Sequence, residues 1–138
     1  MRKLVLLAAL VFATPAWADE DTPANPAFQS IISHQLQAFA KDDAAMAYGD
    51  AAPNVHTIFP TPDVFMNMVR GGYAPVYRNK SYDFEGSGTD TNGRPYQRVG
   101  LIGEDGARYE AVYFMEQQPD GSWKISGCVV AKVPGEDA

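Results

Sequence analysis

The ionisable residues that could carry out chemistry are few and poorly grouped. Asp42 and Asp43 are neighbours in the chain, but adjacent helical residues point about 100° apart and do not form a natural acid–base pair. The end of one helix followed by the cap of the next explains this Asp-Asp pair more simply. The two histidines, His34 and His56, are far apart and have no acid or Cys at ligand spacing. The sequence therefore predicts no catalytic group, no metal site and no cofactor.

The lone cysteine, Cys128, lies in an apolar segment between Gly127 and Val129. A catalytic thiol needs a base nearby, and the sequence shows none. Cysteine is also among the residue types that are most often buried. We therefore expect Cys128 to be a free, buried thiol without a catalytic or redox role.

Aromatic and methionine side chains provide the best candidate for a binding site. They are concentrated between Phe65 and Tyr77, and Tyr hydroxyls would supply polar contacts in an otherwise apolar cavity. The predicted ligand-binding residues are Phe65, Met66, Tyr73, Tyr77, Tyr113 and Trp123. The alternative is that all six side chains belong to the hydrophobic core.

The N-terminus has the layout of a secretory signal peptide. Two cationic residues precede an apolar run from Leu4 to Ala13, and Ala16-Trp17-Ala18 follows. This layout predicts cleavage after Ala18 and a periplasmic or secreted protein, and the run is shorter than the ~20 residues of a membrane anchor. No Cys at the cleavage site could carry a lipid, so we expect a soluble mature protein without membrane attachment.

The charge of the chain excludes one class of partner. The formal net charge is −6 and becomes −8 when Arg2 and Lys3 are removed with the signal peptide. An acidic domain has no electrostatic reason to bind nucleic acid or an anionic membrane surface. We therefore expect no nucleic-acid partner.

The first half of the mature chain has helical periodicity. Asn25 and Pro26 are a cap and a first helical residue, and we expect that helix to run to about Lys41. Its apolar positions recur three or four residues apart and should be buried: Phe28, Ile31, Ile32, Leu36 and Phe39. A second helix is predicted from Ala44 to Tyr48 and a third from Thr61-Pro62 to Gly71-Gly72. We expect His56 to lie in a loop.

The second half has strand periodicity interrupted by turns. Asn92-Gly93, Asp105-Gly106 and Asp120-Gly121 favour tight hairpins in which both residues can adopt positive φ. They separate four predicted strands, 81–88, 96–103, 108–117 and 122–133, which gives an α+β fold with an antiparallel meander. In the last strand, simple alternation places Trp123, Ile125 and Val129 on one face and Cys128 and Val130 on the other.

The order of these elements resembles the nuclear-transport-factor-2-like superfamily. The stretch QLQAFAKDDAAMAYGDAAPNVHTIF, residues 35–59, is similar to the opening of that superfamily. The chain also resembles the exported bacterial proteins of domain-of-unknown-function family 4864 in QLQAFAKDDAAMAYGDAAP, FPTPDVFMNMVRGGYAPVYR and DGSWKISGCVV. This resemblance implies one domain over residues 19–138, with N-terminal helices packed on a curled four-strand sheet that forms a cone. It implies no particular activity, because proteins of this fold differ widely in chemistry.

Three functions remain open at the level of sequence. The first is an exported soluble domain that binds a small apolar or amphipathic ligand, or a partner protein. The second is a small isomerase- or hydrolase-like enzyme that uses an acid–Tyr pair inside the cone. The third is a homodimer formed through the outer face of the sheet, with Val112, Phe114 and Val130 at the interface.

Overall fold

A computed structural model describes residues 25–134 of the chain. The predicted signal peptide, residues 1–18, and the predicted new N-terminus at Asp19 lie outside these residues. The described part contains five helices followed by four strands, in agreement with the expected α+β class. The helices are α1 (Pro26–Ala40), α2 (Ala44–Gly49), α3 (Pro53–Ile58), α4 (Pro62–Gly72) and α5 (Ala74–Tyr77). The strands are β1 (Asn79–Thr89), β2 (Pro95–Gly103), β3 (Arg108–Gln117) and β4 (Trp123–Lys132).

Side-chain caps define the starts of three helices. The Asn25 side chain accepts a hydrogen bond from the backbone N–H of Ala27 at 3.0 Å, with Pro26 in the first turn. Asp43 caps α2 through Met46, and Thr61 caps α4 through Val64. Each cap satisfies a backbone N–H that has no partner inside its helix. The Asp42-Asp43 pair is therefore a helix end and a helix cap, with Asp42 at φ 56° between α1 and α2.

Two short helices depart from the sequence-based prediction. Residues 53–58 form α3, so His56 is helical and does not lie in a loop. Its imidazole stacks on the ring of Tyr48, with 3.8 Å between centroids, and its Nε2 donates to the carbonyl oxygen of Tyr48 at 2.9 Å. Residues 74–77 form α5 directly after α4. Both helices are only a few residues long, so they present too few apolar positions for a periodic signal.

The four strands form one curled antiparallel sheet in the order β1-β2-β3-β4. The three predicted hairpins are confirmed, but their turns differ in detail from the expected two-residue form. Only the glycine of each pair has positive φ: Gly93 and Gly106 at 81°, and Gly121 at 90°. In each turn the glycine N–H donates to the carbonyl three residues before it. This is the geometry of a type I turn closed by a left-handed glycine.

A bulge in β4 reverses the predicted faces of its second half. Met115 pairs with Ile125, but Phe114 pairs with Gly127, so Ser126 is an extra residue. An extra residue shifts the side-chain alternation by one. Cys128 and Val130 consequently pack toward the core with Ile125, whereas Val129 is 57% exposed. The expectation that Val129 shares a face with Ile125, and that Val130 lies outside, was wrong for this reason.

The link between α2 and α3 completes the edge of the sheet beside this bulge. Ala51 pairs in parallel with Ile125, and the backbone N–H of Ala52 donates to the Ile125 carbonyl at 2.8 Å. The Ile125 N–H donates in turn to the carbonyl of Asp50 at 2.8 Å. The link thus covers polar backbone that an edge strand would otherwise expose, and it fixes the start of α3 over β4.

The hydrophobic core lies between the helices and the inner face of the sheet. Four of the five predicted apolar positions of α1 are buried, and Ile31 is half-buried against them. The inner rows of β2 and β3 are also buried, among them Val99, Leu101, Ala111, Tyr113 and Met115. The outer face carries charged side chains, including Arg98 between Glu85 and Glu110. The core therefore occupies one face of the sheet.

Candidate functional site

An apolar cavity of about 230 Å³ opens to solvent at one end of the helical layer. Its walls are formed by α3, α4 and α5 on one side and by β3 and β4 on the other. Phe39 of α1 and Phe65 of α4 line its inner part, and Ile58 of α3, which is 66% exposed, stands at its margin. The lining is mainly apolar, as expected of a small-molecule site.

Three local features fix the position of α3 at the wall of this cavity. The Asn54 side chain donates to the carbonyl of Ser126, the bulged residue of β4, at 3.1 Å. The stack of His56 on Tyr48 ties α3 to α2. The Tyr48 hydroxyl donates to the Phe59 carbonyl at 2.6 Å and fixes the chain after α3. His56 and Tyr48 therefore position the wall of the cavity.

Two tyrosines are among the polar residues that line the cavity, and their hydroxyls differ in hydrogen bonding. The hydroxyl of Tyr73 donates to the backbone carbonyl of Cys128 at 3.2 Å. The hydroxyl of Tyr113 is buried and makes no hydrogen bond within residues 25–134, although the residue is only 1% exposed. The Cys128 thiol is the polar group beside this hydroxyl and contributes, after burial, to the raised pKa of Tyr113, but sulfur is a weak hydrogen-bond partner and the two groups do not meet the geometry of a hydrogen bond. Buried polar atoms are rarely left unpaired.

Burial keeps the ionisable groups of the cavity neutral. It raises the pKa of the Cys128 thiol to about 12. It also raises the pKa of Tyr73, and it raises that of Tyr113 well above 10. In each case loss of hydration disfavours the charged form. At neutral pH the thiol and both phenols are therefore protonated. Cys128 is a free thiol and is half-buried, not fully buried as expected, but its raised pKa is the opposite of that of a reactive thiolate.

The charged residue types are missing from the cavity lining within residues 25–134. No Asp, Glu, Lys, Arg or His side chain contributes to it. An acid–Tyr pair does occur elsewhere, because the Tyr77 hydroxyl donates to Asp42, which also binds Arg78 at 2.6 Å. That cluster is exposed, and its hydrogen bonds lower the pKa of Asp42, with Tyr77 the largest cause. The cavity is thus a neutral, mainly apolar space, and the part of its lining that the structure describes contains no carboxylate, imidazole or amine that could act as a general acid or base.

The structure brings together three of the six side chains that the sequence proposed for ligand binding. Phe65, Tyr73 and Tyr113 all line the cavity. Phe65 forms part of the wall from α4, Tyr73 lies at the junction of α4 and α5, and Tyr113 lies on β3. These three residues come from separate parts of the chain, and the folded sheet and helices place them around one space.

The other three predicted ligand-binding residues lie elsewhere. Met66 points into the core and is buried. Tyr77 packs beside Phe39 and beneath the Arg78 guanidinium, which lies 4.0 Å from its ring centroid. Trp123 packs edge-on against Phe28, with 4.8 Å between centroids. These three side chains therefore do not line this cavity, and the sequence pattern alone does not reveal which aromatic and Met side chains face it.

Sequence reasoning missed the contribution of α3 and of the β4 bulge to the cavity. Val55 and Ile58 of α3 line it, as do Ser126 and Gly127. Pro53 is the first residue of α3. Because Pro is common at the first helical position, it is the signal in the sequence that indicates this helix.

A His–Asp pair lies outside the cavity lining. His34 Nδ1 lies 2.6 Å from a carboxylate oxygen of Asp50, and the Asp50 side chain is only 15% exposed. Burial is the largest cause of the raised pKa of Asp50. Over residues 25–134, no three His, Cys, Asp or Glu side chains approach one another closely enough to hold a metal ion.

A comparison with known protein families finds a match over most of the chain. The family model for a domain of unknown function, DUF4864, matches residues 21–138. The chain belongs to this family. The cavity, its tyrosines and the β4 bulge all lie inside the matched DUF4864 region. No curated protein matches the chain significantly. Within the described part of this DUF4864 domain, no helix is both long and apolar enough to cross a membrane.

Proposed function

We propose that this protein is an exported soluble domain that captures a small, mainly apolar ligand in the cavity between α3, α4 and β4. We also propose that its fold belongs to the nuclear-transport-factor-2-like superfamily. Helices followed by a curled antiparallel meander support that placement. The sequence pattern of residues 1–18 supports export to the periplasm or the medium.

One observation carries the binding function: a cavity that is open to solvent and is lined mainly by apolar side chains. Protein interiors contain few voids larger than a water molecule. A solvent-connected space of about 230 Å³ therefore represents lost packing that a ligand would restore. Because the lining has no charged side chain, a charged ligand would lose its hydration without compensation. The ligand class is thus neutral.

The size of the cavity limits the size of the buried part of the ligand. An engineered apolar cavity of ~150 Å³ in another protein binds benzene. In proportion, the cavity of this protein suits a buried group of about nine non-hydrogen atoms. A ligand of that size has an affinity ceiling set by its few atoms, and we expect a Kd of roughly 0.1–1 mM for such a probe.

The hydrocarbon α-methylstyrene, which has nine carbon atoms, is a suitable probe for this proposal. Val55→Trp would place a large side chain at a half-buried cavity wall, and Val64→Trp would place it at an exposed site on α4 outside the lining. We expect saturable binding in the wild type and Val64→Trp, and at least ~10-fold weaker binding in Val55→Trp because the space is filled. Ligand-detected NMR measures all three.

The comparison of Val55→Trp with Val64→Trp distinguishes binding in the cavity from non-specific binding at the surface. Circular dichroism and thermal unfolding establish that both variants are folded. Equal affinity in Val55→Trp and Val64→Trp, or no saturable binding to the wild type, would contradict the proposed function.

A further inference from the structure

The cavity contains an unpaired hydrogen-bond donor, and this identifies the chemistry of the ligand more narrowly. Tyr113 is fully enclosed, lines the cavity, and its hydroxyl has no hydrogen-bond partner within residues 25–134. A buried hydroxyl without a partner has lost its hydration without compensation and therefore destabilises the ligand-free protein. Because burial raises the pKa of Tyr113 well above 10, the phenol keeps its proton and can donate.

The neighbours of Tyr113 do not remove this need for a partner. The paired residue on β4 is Cys128, whose thiol is a weak donor and a weak acceptor. The carbonyl of Cys128 already accepts the Tyr73 hydroxyl at 3.2 Å. The paired residue on β2 is Gln97, whose side-chain NH₂ donates to the carbonyls of Glu85 and Arg98 at 2.8 and 3.0 Å. The Oε1 atom of Gln97 is a second buried polar atom without a partner among the described residues, and it does not form a hydrogen bond with the Tyr113 hydroxyl.

We propose that the ligand is a neutral, compact molecule whose apolar body fills the cavity and whose single hydrogen-bond acceptor, such as a carbonyl oxygen, accepts from the Tyr113 hydroxyl. This inference rests on the proposed function, since it assigns the polar end of the same ligand. Tyr73 serves a different purpose, because its hydroxyl is already used to tie α4 to β4. The two tyrosines therefore form a matched pair within one cavity.

Acetophenone and α-methylstyrene test this assignment, because they differ only in a C=O against a C=CH₂ group. Because the two probes have nearly the same shape, the ratio of their Kd values reports mainly the hydrogen bond to the carbonyl oxygen. We expect Tyr113→Phe to reduce the preference for acetophenone by ~3–10-fold relative to the wild type, the range of one net hydrogen bond. Tyr73→Phe, which removes the same atom from the same cavity, should leave that ratio unchanged.

A second measurement needs no variant. It uses acetophenone labelled with ¹³C at the carbonyl carbon. When the probe is bound to the wild type, this carbon should resonate downfield of its position in cyclohexane, because hydrogen bonding polarises the C=O bond. An unshifted carbonyl resonance would overturn the assignment.

The outcomes separate the two levels of the proposal. Binding of α-methylstyrene together with an unchanged ratio in Tyr113→Phe would leave the cavity as a binding site but refute the role of Tyr113. That result would indicate that an enclosed water already satisfies the hydroxyl. Binding of neither probe would refute both the role of Tyr113 and the function itself.

Discussion

Replacing Tyr113 by Phe should stabilise the ligand-free protein, contrary to the usual effect of altering a fully buried core residue. The residue is 1% exposed, and its hydroxyl is buried without a partner in the described structure. Removing that oxygen leaves the ring and its packing in place and eliminates an uncompensated desolvation penalty. The free energy of unfolding should therefore rise.

The magnitude follows from the cost of an unpaired hydroxyl. That cost is about 1–3 kcal/mol, and the loss of the hydroxyl's own packing contacts offsets part of it. We therefore expect a gain of about 1 kcal/mol, which raises the Tm by roughly 4 °C in a domain of this size. Tyr73→Phe should have the opposite sign, because it removes the hydrogen bond to Cys128 and costs about 0.5–1.5 kcal/mol.

Thermal and urea unfolding of the two variants and the wild type measure these shifts. The protein should first be unfolded and refolded to remove any bound molecule, since a ligand stabilises the native state by mass action. A loss of more than about 1 kcal/mol in Tyr113→Phe would show that the hydroxyl is hydrogen-bonded in the native protein, and the reasoning about an unpaired donor would fail.

The remaining predictions concern the core, the thiol and the N-terminus. Leu36 is 3% exposed, so Leu36→Ala should lower the free energy of unfolding in urea by about 2–5 kcal/mol. A much smaller loss would mean that the inner face of α1 is misassigned. Thiol reagents should label Cys128 slowly in the native protein at pH 7–8 and rapidly in denaturant, and rapid native labelling would point to a reactive thiolate. Because its folded pKa of about 12 exceeds the ordinary 9.0, the folded state keeps a proton that the unfolded chain loses. The contribution of this thiol to the free energy of unfolding should therefore be fully present below about pH 9 and decrease as the pH rises toward about 12. A Cys128→Ala variant should show a smaller decrease over this range. Intact-mass analysis of exported protein should give a chain that begins at Asp19, and retention of residues 1–18 would contradict the signal peptide.

The strand pattern of the sequence was sufficient to predict the architecture of the sheet. Glycine after Asn or Asp marked each of the three turns, and Gly93, Gly106 and Gly121 do adopt positive φ. Local chemistry decides such turns, so they can be read without knowledge of tertiary contacts. The starts of α1 and α4 were predictable for the same reason, because Asn25 and Thr61 satisfy backbone donors close to them in sequence.

The cavity depends on features that alternation and periodicity do not contain. The bulge at Ser126 is set by how β4 registers with β3 and with the α2–α3 link. The bulge turns the Cys128 side chain inward, and the carbonyl oxygen of Cys128 accepts a hydrogen bond from the Tyr73 hydroxyl. Whether an aromatic side chain lines a space or fills it depends on neighbours that are distant in sequence, as Tyr113 and Trp123 show. Candidate residues could be proposed from the sequence, but only the tertiary contacts distinguish the side chains that line the cavity from those that fill the core.

Methyl-detected NMR during titration with acetophenone tests the central claim most directly, because it reports both binding and its location. We predict saturable shifts at the cavity-lining methyl groups of Val55, Val69, Val76 and Ile125. The methyl groups of Val112 and Val129, whose positions lie on the outer face of the sheet, should not shift. Shifts centred on the outer face, or the absence of saturable shifts at any methyl group, would contradict the conclusion that the cavity is a ligand-binding site.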